Sequence, residues 1–138
     1  MSRYLVTGGS GFIGSHFIEL VHNSCEKVIN LDIENNTLIN KDSKLKKYSY
    51  VKGNIKNKSI LKKILKNYNP DFVINFAANT HVDKSIKNPK SFIENNINGT
   101  LNILESLKEV KFKNRFLQIS TDEVYGDLTI KQKPFIED

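Results

Sequence analysis

Three glycines spaced three apart, Gly8, Gly11 and Gly14, occupy the stretch Thr7-Gly8-Gly9-Ser10-Gly11-Phe12-Ile13-Gly14, between a short apolar run and an amphipathic one. Glycine there answers three needs at once: a tight turn, a backbone that an anion can approach without meeting side chains, and close packing of helix on strand. A pyrophosphate on such a turn meets the unpaired N–H groups and positive dipole end of the helix. Asp32 follows 18 residues after Gly14. At the end of a second apolar run its carboxylate can accept hydrogen bonds from ribose hydroxyls and would repel a 2′-phosphate. Together these residues predict a dinucleotide site selective for NAD over NADP, although lysines at 41–47 could swing back and offer a cation to NADP. Taken singly, the glycines also fit a ligand-free turn, and Asp32 a carboxylate facing water.

A second chemical group is Thr121-Asp122-Glu123, just after the last apolar run. Adjacent residues on a regular strand point to opposite faces, so both carboxyl groups can serve one ligand only if the chain has already left the strand. In isolation, Thr121 and Asp122 read as a turn cap rather than as catalytic groups. His81 reads as a packed loop histidine, and the single cysteine, Cys25, as structural filler at the end of the first helix. No metal site is expected.

The elements that must position these groups alternate between strand and helix type, the pattern of a parallel sheet covered by helices on both faces. Strands are predicted at 3–7, 27–31, 48–52, 72–76 and 115–120. A first helix, at 12–22, places Ile13, Phe17, Leu20 and Val21 on one stripe. A second, at 58–68, puts Ile60, Leu61, Ile64, Leu65 and Tyr68 on one face and its lysines toward solvent, and Asn69-Pro70 ends it. The third starts with Asn88 as N-cap and Pro89 at its first position, then presents Phe92, Ile93, Ile97, Leu101, Leu104 and Leu107 at helical spacing. The fold class is therefore α/β, a Rossmann-like doubly wound parallel sheet with five strands, incomplete because the chain stops where another helix and a sixth strand would normally follow. One domain spanning 1–138 is expected, a truncated NAD-binding domain without a substrate domain.

Composition adds boundaries. With 38% hydrophobic and 26% charged residues, and no apolar run of membrane-spanning length, the chain reads as an ordinary cytoplasmic protein without membrane contact. The net charge of +6 is not matched by a nucleic-acid signature: Lys41, Lys44, Lys46 and Lys47 lie among polar residues, with no aromatic before Tyr48.

Beyond the glycine turn, three stretches carry a resemblance: Phe76-Ala77-Ala78-Asn79-Thr80-His81-Val82-Asp83-Lys84-Ser85-Ile86, Asn95-Asn96-Ile97-Asn98-Gly99-Thr100, and Ser120-Thr121-Asp122-Glu123-Val124-Tyr125-Gly126. The glycine spacing resembles the extended short-chain dehydrogenase/reductases, and the three stretches are similar to the dTDP-glucose 4,6-dehydratase family, over essentially the whole chain. By that resemblance Phe12 and Ile13 line the pyrophosphate turn, and Asp32, Ile33, Glu34 and Asn35 meet the adenosine ribose. Asn54 and Ile55 flank the adenine, and Phe76, Ala77, Ala78, Asn79 and Thr80 pass beside the nicotinamide ribose with Asn95 nearby. Thr80 also approaches the sugar. Asn54 departs from the family's usual Asp, Asn79 and Thr80 from Glu and Ser, and Asn95 from Thr.

The family chemistry is oxidation of a nucleotide sugar at C4 by NAD, loss of water across C5 and C6, and return of hydride to C6. The resemblance makes Asp122 the acid for the departing C6 hydroxyl, Glu123 the base at C5, and Thr121 a hydrogen-bond partner of the C4 hydroxyl. It also implies a tyrosine base with a lysine four residues later on a helix. Tyr48 and Lys52 have that spacing, but in a predicted strand, where four residues span about 13 Å rather than one turn. The expectation is a cofactor-binding part of an NAD-dependent nucleotide-sugar 4,6-dehydratase, inactive and aggregation-prone alone, whose full-length parent allows a homodimer. A stand-alone NAD sensor without turnover is the alternative, and nucleic-acid binding ranks last.

Overall fold

The computed structural model describes residues 1–35, 47–129 and 132–136. Lys41, Lys44 and Lys46 of the lysine-rich stretch lie outside them. Five parallel strands form one sheet: β1 (Arg3–Thr7), β2 (Lys27–Asp32), β3 (Tyr48–Lys52), β4 (Phe72–Asn75) and β5 (Arg115–Gln118). Their order is β3-β2-β1-β4-β5, so the chain winds outward from β1 in both directions. The doubly wound α/β class expected from the sequence is the one observed. Its direction reverses between β1 and β4, and the loops leaving those two strands diverge to open a crevice at the carboxyl ends.

The helices are α1 (Phe12–Val21), α2 (Lys58–Tyr68), the short α3 (Val82–Lys87) and α4 (Pro89–Phe92), and α5 (Thr100–Glu109). A π-helical segment, Ile93–Gly99, joins α4 to α5, so the third helix foreseen from the sequence is one rod with a widened middle. Asn88 caps it as expected, its side chain accepting from Ser91 N–H, with Pro89 in the first turn. Asn57 caps α2 in the same way, and Asn69 ends it in the left-handed region at φ 44°.

Two apolar layers flank the sheet. One joins Leu5, Ile29, Leu31 and Val73 to α2 and α5, and the other joins Val6 and Val28 to Ile18 and Cys25 on the α1 side. Leu61, Ile64 and Leu65 of α2 are buried, as the periodicity predicts. The expected α1 stripe holds in part: Phe17 and Val21 pack on the layer of Val6, Ile18, Cys25 and Val28, whereas Ile13 and Leu20 face solvent and Gly14, Ser15 and Ile18 face the sheet. Small residues let α1 approach its own turn, because a Cβ on Gly14 would lie 2.5 Å from the Gly8 carbonyl oxygen. The third helix is corrected likewise. Gly99, Ile103, Ser106 and Leu107 are buried, and Ile93, Ile97, Leu101 and Leu104 are exposed. A π turn advances more residues per revolution than an α turn, which rotates the inward face out of a 3.6-residue count. The α2 lysines are not simply solvent-facing: Lys58 pairs with Glu105 and Glu109, and Lys62 with Glu109, tying α2 to α5. No helix among the described residues is long and apolar enough to cross a membrane.

Candidate functional site

β1 runs into the glycine turn with its last three residues buried, and the turn is fixed from both sides. Gly8 has φ 71°, and a Cβ there would lie 2.4 Å from Ala77 N, so only glycine lets the turn and the loop after β4 come this close. Gly8 N–H donates to Leu31 O at 3.1 Å and Gly11 N–H to Gly8 O at 3.1 Å. On the β2 side the fully buried Asn30 does the holding. Its Oδ1 accepts from Gly9 N–H at 3.0 Å, and its Nδ2 donates to Ser10 Oγ and to Tyr48 Oη, both at 3.0 Å.

Asp32, the last residue of β2, accepts from Ser10 N–H through Oδ2 at 2.9 Å and from Glu34 N–H through Oδ1 at 3.3 Å. Its carbonyl accepts from Gly53 N–H and Tyr50 Oη. The carboxylate is thus bound to the turn it was expected to serve, at the rim of an open cavity of about 300 Å³. Gly8, Gly11, Asp32, Ile33, Glu34, Asn54 and Ile55 line this cavity on one side. Phe76, Ala77, Ala78, Asn79 and Asn95 line the other. Ser10, Leu31 and Gly53 complete it and were not singled out in the sequence.

Five expected cofactor residues lie off this wall. Gly14 is buried behind the turn, Phe12 and Ile13 are exposed on the first turn of α1, Asn35 is exposed beyond Glu34, and Thr80 belongs to the next cavity. Phe12 stacks on His16, with ring centroids 4.8 Å apart. As the first residues of α1, Phe12 and Ile13 carry backbone N–H groups that the helix itself leaves without partners. The Asn54 side chain is partly committed, its Oδ1 accepting from Lys56 N–H at 2.9 Å.

A polar row crosses the sheet at the same end. Thr7 Oγ1 donates to Asn75 Oδ1, which also accepts from Ala77 N–H, and Asn75 Nδ2 donates to Gln118 Oε1 at 2.8 Å. Asn30 and Asn75 escaped the sequence reading, yet an amide inside an apolar strand is itself a signal. A buried amide must be satisfied, and here each spends its bonds on a loop at the site.

The carboxyl pair sits beyond β5. That strand ends at Gln118 rather than at residue 120, and Asp122–Tyr125 form a 3₁₀ turn, so the chain has left the sheet before either carboxylate. Thr121 precedes the turn with extended backbone and no side-chain capping bond, which sets aside the turn-cap alternative for its hydroxyl. A second cavity, about 470 Å³, brings Thr121 and Glu123 together with Thr80, Ser85 and Gln118. Asp122 is exposed and does not line it. Ala77, Ala78 and Asn79 line both cavities, so one strap of backbone forms their common wall. His81 is not in an open loop but stands at the N-terminus of α3, where its carbonyl accepts from Lys84 and Ser85 N–H.

Tyr48 and Lys52 lie on β3, as read from the sequence. Burial pushes the Tyr48 phenol above its ordinary value, with the Asn30 hydrogen bond and nearby Asp32 acting as smaller influences, which is opposite to what a general base needs.

A family model described as GDP-mannose 4,6 dehydratase matches residues 5–138. The chain belongs to that family. A dTDP-glucose 4,6-dehydratase of Xanthomonas campestris is 39% identical, over 93% of this chain and 40% of that protein. One from Dictyostelium discoideum is 42% identical over 91% of this chain and 30% of its own length. The structure of dTDP-glucose 4,6-dehydratase from Bacillus anthracis in complex with NAD superposes with a TM-score of 0.82 at 35% identity, covering all of this chain and 43% of that one. The Streptomyces venezuelae dTDP-glucose 4,6-dehydratase gives 0.83 at 34% identity, over 92% and 42%. The chain therefore spans less than half the length of these relatives, corresponding to their amino-terminal part.

Proposed function

We propose that the chain is the dinucleotide-binding part of an NAD-dependent nucleotide-sugar 4,6-dehydratase, with dTDP-glucose as the substrate. One observation carries the reading. The glycine turn and Asp32 bound one cavity, Thr80, Thr121 and Glu123 bound a second, and the two share the Ala77–Ala78–Asn79 wall. A redox cofactor and a reacting sugar need that adjacency. The residues fit NAD, because the turn is stripped of Cβ atoms where Gly8 meets Ala77 and Gly14 meets Gly8, and Asp32 offers a carboxylate where a ribose would lie.

When bound, NAD would supply the hydride acceptor for oxidation at C4 and the donor for reduction at C6. The Phe12 and Ile13 N–H groups at the α1 N-terminus would hold the pyrophosphate, since the N–H groups of Gly8 to Gly11 are already bonded within the protein, and Asp32 would accept from the ribose hydroxyls. Thr121 orients the sugar by hydrogen-bonding its C4 hydroxyl. Glu123 takes the C5 proton, and Asp122 gives a proton to the departing C6 hydroxyl, so the sugar loses one water. Asp122 must turn toward the second cavity to do this, and its place in a short exposed 3₁₀ turn leaves it room. No helix among the described residues carries the tyrosine–lysine pair that the reaction's first oxidation needs, so turnover by these residues alone is not expected.

Calorimetry with NAD, with NADP as competitor, tests this on the chain and on Asp32→Ala. Saturable NAD binding that weakens in the variant supports the reading. A folded chain that ignores NAD sinks it, and with it the stand-alone sensor.

A further inference from the structure

The strap between the two cavities is held at Ala77 N–H by Asn75 Oδ1 and, from the helix side, by one side chain that takes both polar groups of Asn79. Asn96 lies in the π-helical segment; its Oδ1 accepts from Asn79 N–H at 2.8 Å and its Nδ2 donates to Asn79 O at 2.9 Å. A carboxamide satisfying both polar groups of one residue does what a neighbouring strand would do, and neither a carboxylate nor an alcohol can reproduce it. Asn95 Nδ2 adds a bond to Asn96 Oδ1 at 3.2 Å. Asn79 Nδ2 reaches back to Ser91 O at 3.4 Å.

The frame behind the grip is rigid. Gly99, one turn further on, is buried so closely that a Cβ would lie 2.5 Å from Ile55 Cδ1, and Ile55 itself lines the first cavity. Asn95 lines the first cavity, Asn96 the second, and Asn79 both. The π segment thus passes its position to the strap through one amide, with the dinucleotide cavity on one side and the Thr121–Glu123 cavity on the other.

We propose that Asn96 is a positioning residue that sets the strap for the nicotinamide half of the dinucleotide and leaves the adenosine half, held at Asp32, untouched. This rests on the cofactor reading above. Calorimetry with NAD and with ADP, which lacks both the nicotinamide and its ribose, separates the two halves. In Asn96→Asp the carboxylate still accepts from Asn79 N–H but loses the donor to Asn79 O. NAD affinity should fall about tenfold while ADP stays within about twofold. Asn96→Gln keeps donor and acceptor but displaces the strap by a methylene, and should shift the ratio in the same direction. Equal loss of both ligands, the mark of a merely structural role, would overturn the inference, as would no loss of either. Wild-type chain that binds neither ligand removes the cofactor reading and this inference together, whereas wild-type binding with unchanged variants removes this inference alone. Amide exchange reads the grip without any ligand: Asn79 N–H should be protected in wild type and exchange about tenfold faster in Asn96→Asp, and an unprotected wild-type amide would equally count against the grip.

Discussion

Asp32 Oδ2 accepts the Ser10 N–H at 2.9 Å, joining the carboxylate at the end of β2 to the glycine turn after β1. The two parts of the dinucleotide site are therefore coupled. Asp32→Ala should cost more than the ribose contacts, because the turn loses a charge-assisted bond as well. NAD affinity is expected to drop by roughly 10- to 100-fold. Asp32→Asn, which keeps an acceptor for Ser10 and removes the charge, should fall less for NAD and bring NADP closer to it. Titrations of the three proteins with both dinucleotides would show this, and an unchanged NAD:NADP ratio in Asp32→Asn would remove the charge from the selectivity argument.

Two glycines with positive φ make a controlled pair. Gly8 has φ 71° and no room for a Cβ, whereas Gly126 has φ 96° and nothing within 4 Å. Gly8→Ala should therefore destabilise the fold by backbone strain plus a clash with Ala77, at least about 3 kcal/mol together, against about 1–3 kcal/mol of strain alone for Gly126→Ala, whose ψ is −164°. Thermal melts of both variants decide it, and similar losses would mean that the approach of Gly8 to Ala77 relaxes cheaply.

The Lys58–Glu109–Lys62 cluster predicts an acid-side dependence of stability. Hydrogen bonds from Lys58 and then Lys62 hold the Glu109 carboxyl down at about 2, below its ordinary value of 4.5. A carboxyl with a depressed folded-state value contributes stability above its unfolded value and loses it as the pH falls. Its contribution is thus complete above about 4.5 and disappears between there and about 2. The groups are surface-exposed, so salt should blunt the effect. Glu109→Gln should flatten the stability profile in that window, lowering stability near neutrality and converging with wild type at the acid end. An identical acid limb in the variant would show that other carboxylates set it.

Much of this architecture was legible because strands and amphipathic helices announce themselves through apolar runs. The β1, β3 and α2 ranges read from the sequence coincide with the observed ones, and β2, β4 and β5 differ by one or two residues at their carboxyl ends. Helix orientation was less legible. On α1 the inward face is built of Gly14 and Ser15, which carry no hydrophobic signal, and on the third helix the π segment breaks the period on which the reading relied. At the site, glycine spacing and Asp32 pointed directly to a cavity they do line. The amides Asn30, Asn75 and Asn96 passed unnoticed, because their work is to hold backbone and only three-dimensional pairing reveals it.

Asn30 shows how much such an amide matters. It is wholly buried between β1 and β3, and one side chain satisfies Gly9 N–H, Ser10 Oγ and Tyr48 Oη. Asn30→Leu keeps the volume but strands the Gly9 donor and the Tyr48 hydroxyl in an apolar layer, at about 1–3 kcal/mol for each unsatisfied group. Stability should fall by several kcal/mol, and the turn should loosen even where the chain still folds. Pairing Asn30→Leu with Tyr48→Phe removes one of the stranded groups. The double variant should therefore lose less than the sum of the two single losses, a non-additivity that denaturant melts can measure. Strict additivity would mean that Tyr48 and Asn30 act independently.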